Sequence, residues 1–519
     1  MEGAGCSLPQ DGDCQVAMLA PCSLHPVSTR KQLLLLVLLT LGALLVHGYH
    51  PWAEDAEIYL PGVEKLLHLE LFPFGAEFFQ SHASLTIFPN LLAALVRATH
   101  LPLEYLLFSV HLASIFLLLL ACWELSGRCF ADARARWAGV GLIAALLTLP
   151  VAGTALYIMD QYVNPRNLAA FASIFSIVRI LDKKYLQAAL YLICAAALHP
   201  FMSFFVLLYL ALLVALEKLD LRFAGFAAVL PFGITFEPPS KAYHEIALLH
   251  PSHYLVRWHW YEWLGIIAPL GLLWWSSRLA QLRQRRNLNL MCRALIPYLL
   301  ICTVAALALS IPERLESLAR IQPLRSLYLL YILLFLFGGG FLGEYVLKNR
   351  VWLWFMLFVP LCAGMFIAQR ALFPASAHLE WPGAAPQNPW AQAFIWIREN
   401  TASNAIVALD PFHMNIPGED SNGFRAIAQR SMLADSVKDS GAVSMFPAIA
   451  EEWMRQVQAQ RGWRTFRSEN FEALRSQYGA SWVLLQQPGV AGMECPYQNR
   501  AVLVCSIPAL QKEFLRSAR

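Results

Sequence analysis

The sequence predicts a mainly α-helical protein, a polytopic membrane bundle of about eleven transmembrane helices that ends in a small extracytoplasmic α/β domain. Three observations carry that reading. Of 519 residues, 58% are hydrophobic and 14% charged. A soluble globule carries roughly 45–50% apolar and about 25% charged residues, so the excess apolar surface must face lipid. Apolar runs of span length recur between residues 31 and 373, and the basic residues crowd the loops of one face. The net charge of +4 is too small to suggest a nucleic-acid partner.

Residues 1–30 are polar and read as a disordered cytoplasmic tail, without the apolar run of a signal peptide. Spans are expected near 31–47, 103–124, 137–157, 167–181, 185–198, 200–216, 223–236, 258–276, 294–311, 323–345 and 351–373. The apolar stretch 85–98 is short and contains Pro89, Asn90 and Arg97. It reads as an interfacial helix within a long outer loop, 48–102.

Sidedness follows from the cations. Arg30 and Lys31 precede the first span and put the N-terminus in the cytoplasm. Counting crossings then brings Arg128, Arg134 and Arg136, Arg179, Lys183 and Lys184, Lys218 and Arg222, the cluster from Arg278 to Arg293, and Lys348 and Arg350 to the cytoplasmic side. A crossing at 85–98 would invert all of them, which decides against it. The outer face receives 48–102, 158–166, the break at His199-Pro200, 237–257, 312–322 and the chain beyond 374. The membrane expected is the inner one.

From 374 to 519 the composition is that of a soluble domain. Asn388-Pro389 has the form of a helix cap followed by proline at the first helical position. Trp390, Ala393, Phe394 and Ile397 repeat at helical spacing. Pro447 opens a second helix, and Gly479 closes a third that carries Phe471, Leu474 and Tyr478. Residues 406–409, 481–485 and 501–504 are strand candidates. With no Gly-rich phosphate loop and no nucleophile elbow, the segment suits partner or acceptor binding, or a cover over the membrane part. Of eleven cysteines, several lie within apolar runs, and none forms a CxxC pair. Cys495 and Cys505 can pair if that end meets an oxidising compartment.

Four constellations face outward. Glu54 and Asp55, adjacent carboxylates just beyond the first span, suit a cation or a proton-donating substrate, or else a solvated helix start. Asp160 and Arg166 bracket a short loop, as a substrate contact or an ion pair tying two helix ends. Around 312–322 lie Glu313, Arg314, Arg320 and Arg325. Arg325 falls about one turn inside an apolar run, where a charge is costly and marks function by default. A guanidinium there suits bidentate capture of a phosphate, or snorkelling to lipid phosphates. His199 sits where Pro200 breaks two apolar runs, as an outer-face ligand contact or a plain corner. No histidine spacing of a metal site is present, and no metal is predicted.

The pattern resembles the GT-C superfamily of membrane glycosyltransferases, which take sugars from polyprenyl-phosphate carriers. The residues that carry the resemblance are Glu54-Asp55-Ala56-Glu57-Ile58-Tyr59, similar to the family's acidic motif after the first span. The interfacial segment 85–98 and the helical architecture from 31 to 373 add to it. The resemblance implies a polyprenyl-phosphate-sugar donor with its phosphate at Arg320 and Arg325, helped by Arg166. It implies Asp55 or Glu54 as general base or orienting group, with Tyr59, Asp160 and His199 nearby, and transfer with inversion to an envelope acceptor. Some members use a divalent metal and others do not, and without a second acid pair none is expected here. The stretches Phe394–Thr401, Phe424-Arg425, Arg430-Ser431 and Lys438-Asp439 are similar to an uncharacterised family of bacterial membrane proteins whose C-terminal domain has no assigned function. Two other classes compete. A transporter or flippase should carry two related halves and polar groups at mid-membrane, whereas no internal repeat is present and the polar groups sit at span ends. A non-catalytic scaffold would use the C-terminal domain to hold an envelope partner.

Overall fold

The structure is a computed structural model and describes residues 29–218, 240–311, 318 and 320–508. The expected tail over 1–28, the expected span over 223–236, and Glu313 and Arg314 lie outside the described residues. Among the described residues six helices are long and apolar enough to cross a membrane: Arg30–His47, Leu103–Cys129, Pro200–Lys218, Arg286–Ser310, Pro323–Leu347 and Val351–Leu372. Three more helices, Pro165–Leu181, Tyr185–Leu198 and Leu264–Leu282, belong to the same bundle without meeting that standard.

The expected span at 137–157 is corrected. Its helix, Ala133–Ala145, has 13 residues and is about 20 Å long, short of the roughly 30 Å of a hydrocarbon core. Pro150 and the turns around Gly153 end helical geometry, because proline disfavours helix in the residue before it. The chain continues as irregular backbone through Leu147, Val151, Ile158 and Met159, all buried. Its polar groups are satisfied inside the protein. Met159 N donates to Leu147 O at 2.8 Å, Val151 N to Leu156 O at 2.8 Å, and the Tyr328 hydroxyl to Ile158 O at 2.8 Å. Irregular backbone at such depth is tolerated only where protein covers it or a cavity opens beside it.

The bundle has two chemically distinct ends. At one, Arg128 bonds Asp182 at 3.1 Å, Asn287 donates to Arg128 O, Arg134 bonds Asn349, Arg285 bonds Glu344, and Lys183 bonds Glu217. These contacts gather the basic loops into one layer. At the other end, the 48–102 loop folds into the helices Ala56–Leu67, Glu77–Ala83 and Phe88–Thr99. The last covers the expected interfacial segment and buries Phe88 and Leu92 in a cluster with Leu60, Val63 and Leu106.

The C-terminal segment is a small α/β layer. Strands β1 (Ile406–Ala408), β2 (Ser431–Met432), β3 (Trp482–Gln486), β4 (Glu494–Gln498) and β5 (Val502–Ser506) form one sheet in the order β2-β1-β3-β5-β4. β1 is parallel to β2 and β3, whereas β5 is antiparallel to β3 and β4. Helix Pro389–Asn400 starts at Asn388, whose side chain accepts from Trp390 N at 2.8 Å. It packs Trp390, Phe394 and Ile397 onto Val407, Leu484 and Val504. A disulfide joins Cys495 on β4 to Cys505 on β5. This layer sits on the outer loop. Glu54 N donates to Ser421 O and Gly423 N to Trp52 O, each at 2.8 Å.

Two buried helices meet at backbone distance. A Cβ on Gly139 would stand 2.6 Å from Leu336 O, and one on Gly339 2.7 Å from Ala138 O. Small residues let membrane helices approach this closely. Gly139→Val or Gly339→Val is expected to lower stability by about 1–3 kcal/mol through overpacking. Thermal unfolding in detergent checks this, with Gly364→Val as the control because its Cβ would meet nothing within 4 Å.

Candidate functional site

The site lies at the end of the bundle opposite the basic layer. Its first wall is the start of the Ala56–Leu67 helix, which carries Asp55 and Tyr59. Its second is the corner before Pro165–Leu181. Asn164 caps that helix by accepting from Asn167 N at 2.9 Å, and Pro165 and Arg166 open it. The third is His199, between Tyr185–Leu198 and Pro200–Lys218. The fourth is Arg325, in a short turn, Pro323–Arg325, that leads into Ser326–Phe341. Asp55, Tyr59, Arg166, His199 and Arg325 line one cavity of about 240 Å³. Glu54 and Asp160 line an adjoining cavity of about 510 Å³ that shares Asp55, Arg166 and Lys438 with the first.

Arg320 is the expected site residue that the structure does not bring in. It is exposed and lines neither cavity. The chain reverses between the two arginines at Gln322, whose φ is 50°. One guanidinium is therefore carried away while the other enters.

The two cavity arginines differ. Arg166 is buried and donates to Asp160 Oδ2 at 2.6 Å, and Asn164 donates to the same oxygen at 2.6 Å. That is the tie between helix ends, although the Arg166 Nε stays buried without a partner. The Arg325 side chain makes no hydrogen bond or ion pair among the described residues. A cation of that kind beside a cavity is free to receive an anion.

The acids are not free. Lys438, from the C-terminal segment, donates to Asp55 Oδ1 at 3.0 Å and to Glu54. Burial works against charge on Asp55, but Lys438, Arg166 and Arg325 outweigh it and hold the carboxyl well below the usual range. Burial likewise opposes charge on Lys438, and the two carboxylates outweigh it and raise the ammonium above its ordinary range. Lys438 is placed by a second network. Arg425 is fully buried and donates to Asp439 Oδ1 at 2.9 Å, Asp439 Oδ2 at 2.8 Å and Glu57 Oε1 at 3.1 Å. Glu57 Oε2 also accepts from Arg425 N at 2.8 Å. A single guanidinium thus joins the helix that follows Asp55 to the residue that follows Lys438.

Three histidines complete the cavity. His82 and His250 are pushed down to about 4 by burial, which the Arg325 charge reinforces at His82 and Lys438 at His250. His253 is lowered too, and stacks on His250 with centroids 5.2 Å apart. Burial disfavours the charged form of all three. Lys438, His82, His250 and His253 were not foreseen as site residues. Among the described residues no group of His, Cys, Asp or Glu converges as a metal-binding set.

No family model matches the chain, and no curated protein matches it. Among solved structures it is similar to the oligosaccharyltransferase of Archaeoglobus fulgidus in the apo form, at 11% identity and a TM-score of 0.46, over 88% of this chain and 70% of that one. The superposition is too loose to bear on chemistry.

Removing Arg425 leaves two buried carboxylates uncompensated. Arg425→Met is expected to cost about 3–5 kcal/mol, and Arg425→Lys somewhat less, read from thermal melts. The depressed Asp55 sets a pH window. Its contribution to stability is present above the unfolded carboxyl value of about 4 and is lost as pH falls through the lower folded value. The melting temperature of wild type should fall further than that of Asp55→Asn between pH 5 and acid. Parallel curves would remove the Asp55–Lys438 pair from the stability of the fold.

Proposed function

We propose that the chain is a membrane glycosyltransferase that moves a sugar from a polyprenyl-phosphate donor to an envelope acceptor on the extracytoplasmic face of the inner membrane. The observation that carries this reading is one cavity with an ionised carboxylate, Asp55, on one wall and on another a guanidinium, Arg325, that has no partner among the described residues. That pairing matches a reaction in which a phosphate leaves and a hydroxyl attacks.

In this reading the donor phosphate lies against Arg325, with Arg166 adding charge. The acceptor hydroxyl oxygen attacks the anomeric carbon, and the carbon–oxygen bond to phosphate breaks with its electron pair going to the phosphate. Arg325 stabilises the charge that develops there. The hydroxyl proton passes to Asp55. A carboxylate held below its usual range is a weak base, but the attacking oxygen becomes strongly acidic as its bond to carbon forms, so weak basicity suffices late in the step. Lys438 keeps Asp55 ionised, and Glu54 shares that ammonium. Tyr59, His199 and the other cavity histidines orient sugar hydroxyls. Attack from the face opposite the phosphate inverts the anomeric centre.

The sidedness of the reading has its own support. The acidic motif and the C-terminal segment are hydrogen-bonded to each other, so they share one face of any bilayer. The basic loops gather at the other end, as the positive-inside rule requires of the cytoplasmic end. The Cys495–Cys505 bond suits an oxidising compartment. We extend the six clear spans to about eleven crossings by counting the three shorter helices of the bundle, the Ala133–Ala145 helix with the chain that follows it, and the apolar run that the sequence alone places at 223–236.

Asp55→Asn is expected to abolish incorporation of label from a polyprenyl-phosphate sugar into envelope acceptors, with membrane insertion intact. Arg325→Gln should lower the rate by about 10²–10³, while Arg320→Gln leaves it unchanged. Normal transfer by the Asp55 variant would end the assignment.

A further inference from the structure

A second pocket opens beside Trp52, three residues before Asp55. The outer ends of three apolar helices converge: the end of Arg30–His47, the start of Leu103–Cys129 and the end of Val351–Leu372. Tyr49 pairs with Leu379 as a β-bridge, and His50 stacks on Phe373 with centroids 3.9 Å apart. A pocket of about 200 Å³ opens there, beside the ends of these helices. Its lining includes Tyr49, Trp52, Trp381, Glu104, Glu380 and Arg398.

Glu104 makes no hydrogen bond or ion pair among the described residues, and neither does the Arg398 guanidinium. Glu380 has one partner, His50 Nδ1, at 3.0 Å. Tyr49 is 1% exposed, and its hydroxyl is buried without a hydrogen bond, a costly state for a polar group. Phe108 supports both Tyr49 and Trp381, with centroids 5.2 and 5.4 Å away. Gly383, at φ +78°, lets the 381–386 turn lie against Tyr105, whose hydroxyl would stand 2.6 Å from a Cβ there.

We propose that this pocket binds a phosphate ester of a primary amine, the headgroup chemistry of an ethanolamine phospholipid. The ammonium sits among Glu104, Glu380 and the aromatic faces, which attract cations. Its N–H groups satisfy the carboxylates. The phosphate meets Arg398. A trimethylammonium has no N–H to give these acceptors. A glycerol headgroup supplies only the phosphate and leaves the carboxylates without a cation. The volume suits a headgroup and is well below that of a drug-sized ligand. The pocket shares no lining residue with the Asp55 cavity.

The test is native mass spectrometry of the full chain in detergent, offered equal amounts of phosphatidylethanolamine, phosphatidylcholine and phosphatidylglycerol. Retention of the ethanolamine lipid over each of the others by about fivefold or more, the size of one charge-assisted contact, is expected. Glu104→Gln should remove the preference, Arg398→Gln should lower retention of all three lipids, and Asp55→Asn should change neither. Displacement by soluble glycerophosphoethanolamine assigns the site to the headgroup alone, whereas retention against it assigns the site to the intact lipid. Equal retention of the three lipids by wild type overturns the proposal without reference to any variant. So does a preference that survives Glu104→Gln.

Discussion

Arg425 is the constraint on which the outer half of the molecule depends. Its guanidinium is wholly buried and faces two carboxylates from distant parts of the chain, Glu57 and Asp439. A buried ion pair contributes little net stability compared with a well-packed apolar substitute, because desolvation offsets its attraction. It is intolerant of losing one partner, however, and it accepts only one register. That intolerance fixes the C-terminal segment to within a residue on the Ala56–Leu67 helix. Lys438, next to Asp439, is thereby brought onto Glu54 and Asp55. Glu54, Asp55 and the C-terminal layer form one unit, in which that layer completes a wall of the cavity.

The second organising feature is the absence of helix where a helix was expected. Had 137–157 been a continuous span, its side chains would have filled the space beside Pro165–Leu181, and Asp160 would have ended a rod. The irregular chain from 146 to 164 lets Ala155 and Leu156 stand back and line both cavities, and Thr154 the first. Its donors and acceptors are spent on Leu147, Leu156 and Tyr328. The cavity exists where backbone regularity stops.

How much of this was legible follows from physics. Asp55, Tyr59, Arg166, His199 and Arg325 stood out because each is polar at the edge of an apolar run, where such a residue is conspicuous and topology sends all of them to one end. Lys438, His82, His250 and His253 lie in mixed polar segments where nothing marks them, and only tertiary folding brings them close. Lys438-Asp439 did stand out as a dipeptide, but no pattern connects it with residues nearly 400 positions earlier. Arg320 misled because five residues of sequence look like proximity. The left-handed Gln322 undoes that proximity, and glutamine carries no sequence signal for positive φ of the kind glycine carries. In the C-terminal layer the longer helices and the strands β1, β3 and β5 were readable, whereas β4, with no buried residue, was not. β2 and the helices Phe424–Ala428 and Asp439–Met445 were too short to register as periodicity.

The charge arrangement has a consequence for how the site is entered. Asp55 already has a cation: its Oδ1 accepts from Lys438 at 3.0 Å. That ammonium favours the ionised carboxylate whether or not a ligand is present. The Arg325 side chain, by contrast, has no hydrogen bond or ion pair among the described residues, and of the charged groups near it Asp55 attracts and Arg166 repels. Among those residues the charge is matched on the acid side of the cavity and unmatched on the arginine side, so under the proposed function a phosphate-bearing ligand gains most at the Arg325 wall.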